Sequence, residues 1–169
     1  MTEALPAVDD PRWSEKMREV ITRGHLAAWM KGTSERLGVP LDSPLLSQQR
    51  LSRAERAEIR DLVEAQLKYL EGFVSARPEL SDAATAARSE LYAGALSGTY
   101  SKARWGDWEL PFHPTEGSEC ITNCHCHWEV TGDGATGTAI WHLGANERHC
   151  VTCPSRASNS PYSVKRRAA

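Results

Sequence analysis

The chain has 169 residues, 40% of them hydrophobic, and a formal net charge of −2. That length holds one ordinary domain, or a helical region with a small appended module. The near-neutral balance excludes a strongly basic nucleic-acid binder and an acidic tail protein, and no apolar run reaches the roughly eighteen residues a membrane span needs.

Met1–Asp10 carries Glu3, Asp9 and Asp10 and no basic residue, unlike a secretory leader, so a reducing cytoplasm is the expected compartment. Asp9-Asp10-Pro11 is a helix start, with Asp at the cap and Pro at the first helical position. Trp13, Met17, Val20, Gly24 and Ala28 follow at three- and four-residue steps, widened by Ile21 and Trp29. Lys31-Gly32 suits the end of this helix, because glycine tolerates the left-handed terminating conformation. Gly38–Pro44 reads as a loop.

Ser52-Arg53-Ala54-Glu55 is a capping box opening a second helix. Its apolar side is Ile59, Leu62, Val63, Leu67 and Leu70, and it runs to about Ala76 before Pro78 closes it. A third helix is expected over about Ser81–Lys102, rich in Ala and Gly and so suited to close helix packing. Trp105–Pro114 then places two Trp and one Phe among Gly and Pro, a stiff aromatic connector expected to pack its rings over neighbouring elements.

All five cysteines and four of the six histidines lie between Cys120 and Cys153. Cys124, Cys126, Trp128 and Val130 alternate with His125, His127 and Glu129, which is a half-buried strand. A Gly-rich turn over Thr131–Gly137 leads to a second strand, with Ala139, Trp141 and Leu143 on one side. The pair makes a hairpin in which Trp128 and Trp141 meet across the strands.

A hairpin of this size buries too little to hold itself and needs a staple. Three thiols at one end (Cys120, Cys124, Cys126) and a C-x-x-C pair at the other (Cys150, Cys153) have the layout of a structural Zn²⁺ site. The C-x-x-C half is the specific one; three thiols compete for the other two places, and His149 is a further candidate ligand. Ferredoxin-type spacing is missing, so iron–sulfur ligation ranks below zinc. No Gly-rich phosphate loop or G-x-S-x-G is present, and five clustered cysteines do not read as one activated nucleophile.

The fold class expected from these patterns is a mainly α N-terminal region of about three helices, with a small C-terminal zinc-stapled β-hairpin module. Its segments are a helical region over 1–104, an aromatic connector over 105–119, a Cys-rich zinc-binding hairpin over 120–155 and a basic tail over 156–169.

Four runs together resemble a known group: R-W-G-D-W-E-L-P (Arg104–Pro111), T-N-C-H-C-H-W (Thr122–Trp128), W-H-L-G-A-N-E-R-H-C-V-T-C (Trp141–Cys153) and S-P-Y (Ser160–Tyr162). They are similar to runs in tailed-phage and prophage minor head, or head morphogenesis, proteins related to the Mu F family. The family's N-C-x-C pair falls on Asn123, Cys124 and Cys126, its C-x-x-C pair on Cys150 and Cys153, and Cys120 is extra. The resemblance implies a non-enzymatic virion protein, present in the host cytoplasm during assembly and then in the particle. Its implied partners are the portal and major capsid proteins, with packaged DNA and further copies of itself as additional contacts and no membrane. The alternative reading is a zinc-stabilised module that binds nucleic acid weakly through Arg156, Lys165, Arg166 and Arg167. A third, a zinc-supported nuclease using His113, His125 or His127, lacks the residues after Cys153 that a catalytic hairpin-plus-helix would need.

Overall fold

The computed structural model describes residues 10, 12–76, 81, 83–84, 96–114, 116–117, 125–144 and 149–168. The elements are α1 (Trp13–Leu37), α2 (Pro44–Gln48), α3 (Arg53–Ala76), α4 (Ser97–Arg104), β1 (His127–Thr131), β2 (Thr136–His142), α5 (Thr152–Ser158) and β3 (Tyr162–Lys165). A largely helical N-terminal part followed by a C-terminal hairpin is therefore present. Among these elements, none is long and apolar enough to cross a membrane. Most of the helix expected over Ser81–Lys102 lies outside the described residues; where its end was expected, Leu96 is not helical and a separate short helix, α4, starts at Ser97 and runs to Arg104.

The chain forms two compact units that interleave along the sequence. One comprises residues 1–27 and 49–96, the other 28–48 and 97–169, so α1 contributes its first half to one and its second half to the other.

In the first unit, α1 starts at the expected cap: the Arg12 amide donates to Asp10 Oδ1 (2.8 Å) and the Trp13 amide to the Asp10 carbonyl (2.8 Å). Its buried stripe is Trp13, Met17, Ile21 and His25. The capping box of α3 is formed in both directions, Ser52 N to Glu55 Oε2 at 2.7 Å and Glu55 N to Ser52 Oγ at 3.1 Å. Ile59, Val63, Leu67 and Leu70 are its buried residues. The Arg18–Glu64 ion pair and a His25 Nε2–Gln66 Oε1 hydrogen bond (2.7 Å) tie α1 to α3.

In the second unit, α1 does not stop at Gly32 but continues to Leu37. Gly32 is there because α4 comes close: a Cβ would stand 2.5 Å from the Tyr100 carbonyl oxygen and 2.8 Å from Ala103 Cβ. The terminating glycine is Gly38, at φ 66°. Its amide donates to Glu35 O (3.3 Å) and that of Val39 to Ser34 O (3.0 Å), which satisfies the last carbonyls of the helix. Glu35 anchors α4: the Tyr100 hydroxyl donates to its carboxylate, and Arg104 Nη1 to its backbone carbonyl at 2.8 Å. Burial, then the bond to Glu35, push the Tyr100 pKa up to about 12.

The sheet is antiparallel in the order β1-β2-β3, with Trp128 opposite Trp141 and Gly137 opposite Val164. The predicted alternation holds within the strands: Cys126, Trp128, Ala139 and Trp141 are buried, while His127, Glu129 and Ile140 face outward; Leu143, expected on the inner side, lies just past the end of β2 and is exposed. Two expectations change here. The range 156–169 is not simply a tail, since it holds the end of α5 and the third strand. The aromatic connector is part of the same sheet core: Trp108 bridges to Arg166, and the Glu109 amide donates to Lys165 O at 2.8 Å. Gly137 makes room for it, since a Cβ there would meet the Trp108 ring at 2.7 Å.

Candidate metal centre

Three of the five predicted metal ligands fall in the described residues, and they gather in one place. Cys126 (2% exposed) and Cys153 (fully buried) belong to a cluster with Trp108, Trp128, Ala139, Trp141 and Val164, and the half-buried Cys150 packs against it. Cys120 and Cys124 lie outside the described residues.

Local sequence accounts for this convergence. Cys126 is on the inner side of the chain entering β1, two residues before Trp128. At the far end of β2, Gly144 is packed so tightly against the turn into β1 that a Cβ would lie 2.4 Å from the His125 carbonyl carbon. The two ends of the hairpin are thus held side by side. Cys150 precedes α5 and Cys153 sits in its first turn. α5 packs on β2; the Trp141 amide of β2 donates to Ser160 Oγ just past the helix (2.9 Å), and the Tyr162 hydroxyl of β3 donates to Arg156 O within it (2.9 Å). α5 thus begins within the C-x-x-C pair, and its first turn carries the buried Cys153.

The walls are aromatic. Trp128 and Trp141 meet edge to face at 4.9 Å, and Phe112 lies 4.8 Å from Trp128 and 5.0 Å from Trp141. Trp128 Nε1 donates to Phe112 O at 2.8 Å. The Arg156 guanidinium stands 3.9 Å from the centre of the Phe112 ring and donates to Glu116 O at 2.6 Å. This residue, predicted as part of a basic surface, is spent inside the module. Next to Cys150, the His149 Nδ1 atom is buried with no hydrogen-bond partner among the described residues. Among those same residues, no three His, Cys, Asp or Glu side chains are grouped so as to hold a metal ion.

The histidines considered as bases are separated. His113 is buried, with Nδ1 3.0 Å from Ser101 Oγ. His125 and His127 are exposed and line a cavity of about 290 Å³ together with Cys126, Ser97, Tyr100 and Trp105. On the outer face of the hairpin, His127 stacks on His142, and His142 Nε2 is 2.8 Å from Glu129 Oε2.

His25 is a polar residue that the sequence reading passed over. It continues the four-residue step Trp13, Met17, Ile21 and is 2% exposed. That step was the signal by which it could have been found. Burial holds its pKa below the ordinary value, against the opposing bond from Gln66.

No family model matches the chain, and neither a curated protein nor a solved structure does so.

Proposed function

We propose that this chain is a non-enzymatic assembly protein of a tailed-phage head, and that its C-terminal module is a rigid foot closed by a structural Zn²⁺. The observation that carries the metal reading is the gathering of Cys126, Cys150 and Cys153 on one aromatic core. Thiolates brought to such a core are poorly solvated, and Zn²⁺ neutralises them while adding binding energy that counts as folding energy. The buried, unpartnered His149 Nδ1 fits the same donor set. Among the described residues no three such side chains form a ligand group, so the set would be completed by Cys120 or Cys124, which lie outside them, together with members of Cys126, Cys150 and Cys153, with His149 as a further candidate.

The head-protein reading rests on the resemblance, and the placement of the resembling runs supports it. Trp108, Trp128, Trp141 and Tyr162, one from each run, all stand in or against a single core, so the runs describe one folded module. The nucleic-acid alternative gains nothing from Arg156, whose guanidinium is turned onto Phe112.

Two measurements test the proposal. Metal analysis of the purified chain should give about one zinc per chain, and a chelator should unfold the C-terminal module. Cys126→Ser and Cys153→Ser should each lose the metal; a folded, metal-free parent protein refutes the zinc centre. Separately, the tagged chain should co-purify with portal or major capsid protein produced from the same genome. A monodisperse chain with no affinity for either removes the assembly role, and salt-sensitive DNA retention in its place would favour the alternative.

A further inference from the structure

A second cluster of metal-competent side chains lies on the opposite side of the hairpin from the cysteines, and the geometry points to a two-imidazole site there for a divalent transition-metal ion. His127 and His142 are directly opposed in the β1–β2 register. Their rings are stacked at 5.4 Å with planes 19° apart. Strand alternation places both on the outer face, so an ion taken at the ring edges, where the lone pairs lie, completes its coordination from solvent.

The hydrogen bonds around the rings set the tautomers. His142 Nε2 is 2.8 Å from the Glu129 carboxylate, an acceptor, so in the neutral ring the proton resides on Nε2 and Nδ1 carries the lone pair. His127 Nδ1 faces the His125 carbonyl at 3.4 Å, also an acceptor, which leaves the lone pair on Nε2. Metal-binding histidines characteristically donate their other ring N–H to a carboxylate or a backbone carbonyl, which orients the ring and raises its basicity. Both rings meet that condition here, one with each kind of acceptor.

The donor type selects the ion. Two neutral imidazoles and water suit Ni²⁺, Cu²⁺ or Zn²⁺ and not the oxygen-seeking Mg²⁺ or Ca²⁺. Glu129 acts as the outer-shell orienting group, so the site has two protein ligands. This agrees with the finding that no group of three or more metal-competent side chains assembles among the described residues.

The test is a titration of the full chain with Ni²⁺, followed by NMR. Paramagnetic broadening should centre on the outer faces of β1 and β2. His127→Gln or His142→Gln should weaken binding by more than the roughly tenfold that loss of an outer-shell partner costs, and Glu129→Gln by about tenfold. His125→Gln should bind as the parent does. Mg²⁺ should leave the spectrum unchanged. Broadening centred instead on Cys126 and Cys153, or unaltered Ni²⁺ affinity in both ligand variants, overturns the site. The parent's broadening pattern decides the matter even if a variant misfolds.

Discussion

Gly32→Ala and Gly72→Ala are the same substitution inside two long helices, and the structure predicts opposite signs for them. Without tertiary contact, glycine costs a helix interior about 0.8–1.0 kcal/mol relative to alanine. At Gly72 in α3, apart from the adjoining backbone of its own helix, no heavy atom among the described residues lies within 4 Å of where a Cβ would stand. Gly72→Ala should therefore stabilise the protein by about 0.5–1 kcal/mol. At Gly32 the new carbon would lie 2.5 Å from the Tyr100 carbonyl oxygen and 2.8 Å from both Ala103 Cβ and the Arg104 amide nitrogen. Two of those three atoms are α4 backbone, so the helix itself has to shift. Forcing a carbon into a packed contact costs about 1–3 kcal/mol, and the propensity gain offsets only part of it. The shift also pulls on the 2.8 Å bond from Arg104 to the Glu35 carbonyl. The net expectation is a loss of about 1–2 kcal/mol, read as a fall of about 2–8 °C in Tm for a chain of this size, against a small rise for Gly72→Ala. Thermal unfolding followed by tryptophan fluorescence measures both. A Gly32→Ala protein as stable as its parent would mean that α1 and α4 do not approach this closely.

Two other outcomes follow from the same reasoning. Ser52→Ala removes one arm of the reciprocal cap at the start of α3 and should cost about 1 kcal/mol in urea denaturation, with Ser52→Asp retaining most of the stability. His25, held neutral by burial, has a folded pKa below its ordinary 6.5, so between those two values the unfolded chain binds more protons. Its contribution is therefore complete above pH 6.5 and is lost as the pH falls through the folded value. Stability measured from pH 8 down to pH 5 should decline less steeply in His25→Gln than in the parent, and identical slopes would show that His25 is not the group responsible.

Much of the fold was legible in the sequence where it depends on neighbours in the chain. The capping box, the Asp10 cap and the Trp128–Trp141 pair are each fixed by a local pattern, a hydroxyl three residues from a carboxylate or a two-residue alternation around a Gly-rich turn. The misreadings come from contacts made far along the chain. Gly32 looks like a terminator until α4, some seventy residues later, is seen lying on it. β3 was read as tail because its four residues carry little pattern of their own. They become a strand only by pairing with β2 and with Trp108, and the basic residues around them mask that signal. Arg156 was misjudged for the same reason, because nothing local announces that Phe112 will stand beneath it. The proposed metal centre is intermediate: the cysteine spacing suggested it, and the structure adds only that Cys126, Cys150 and Cys153 lie in or against one core.

The distribution of the resembling residues also limits where partner specificity can reside. Trp108, Trp128 and Trp141 are buried, and Ser160 and Tyr162 are occupied in pinning α5 to the sheet. These are the residues that specify the module, so substituting them removes fold and binding together and cannot separate the two. Under the proposed assembly role, a partner would have to contact what the core pushes outward. Val151, at 85% exposed between the two cysteines of the C-x-x-C pair, is the most exposed large apolar side chain among those described, and Leu143 (39%) and Ile140 (37%) are exposed on the same hairpin module. A solvent-facing valine at the tip of a tightly constrained knuckle loses little conformational entropy on being covered, because the chain on either side is already fixed. Under the proposed role, the buried Cys153 and the exposed Val151 would therefore be separable: the first would govern stability and the second contact with a partner.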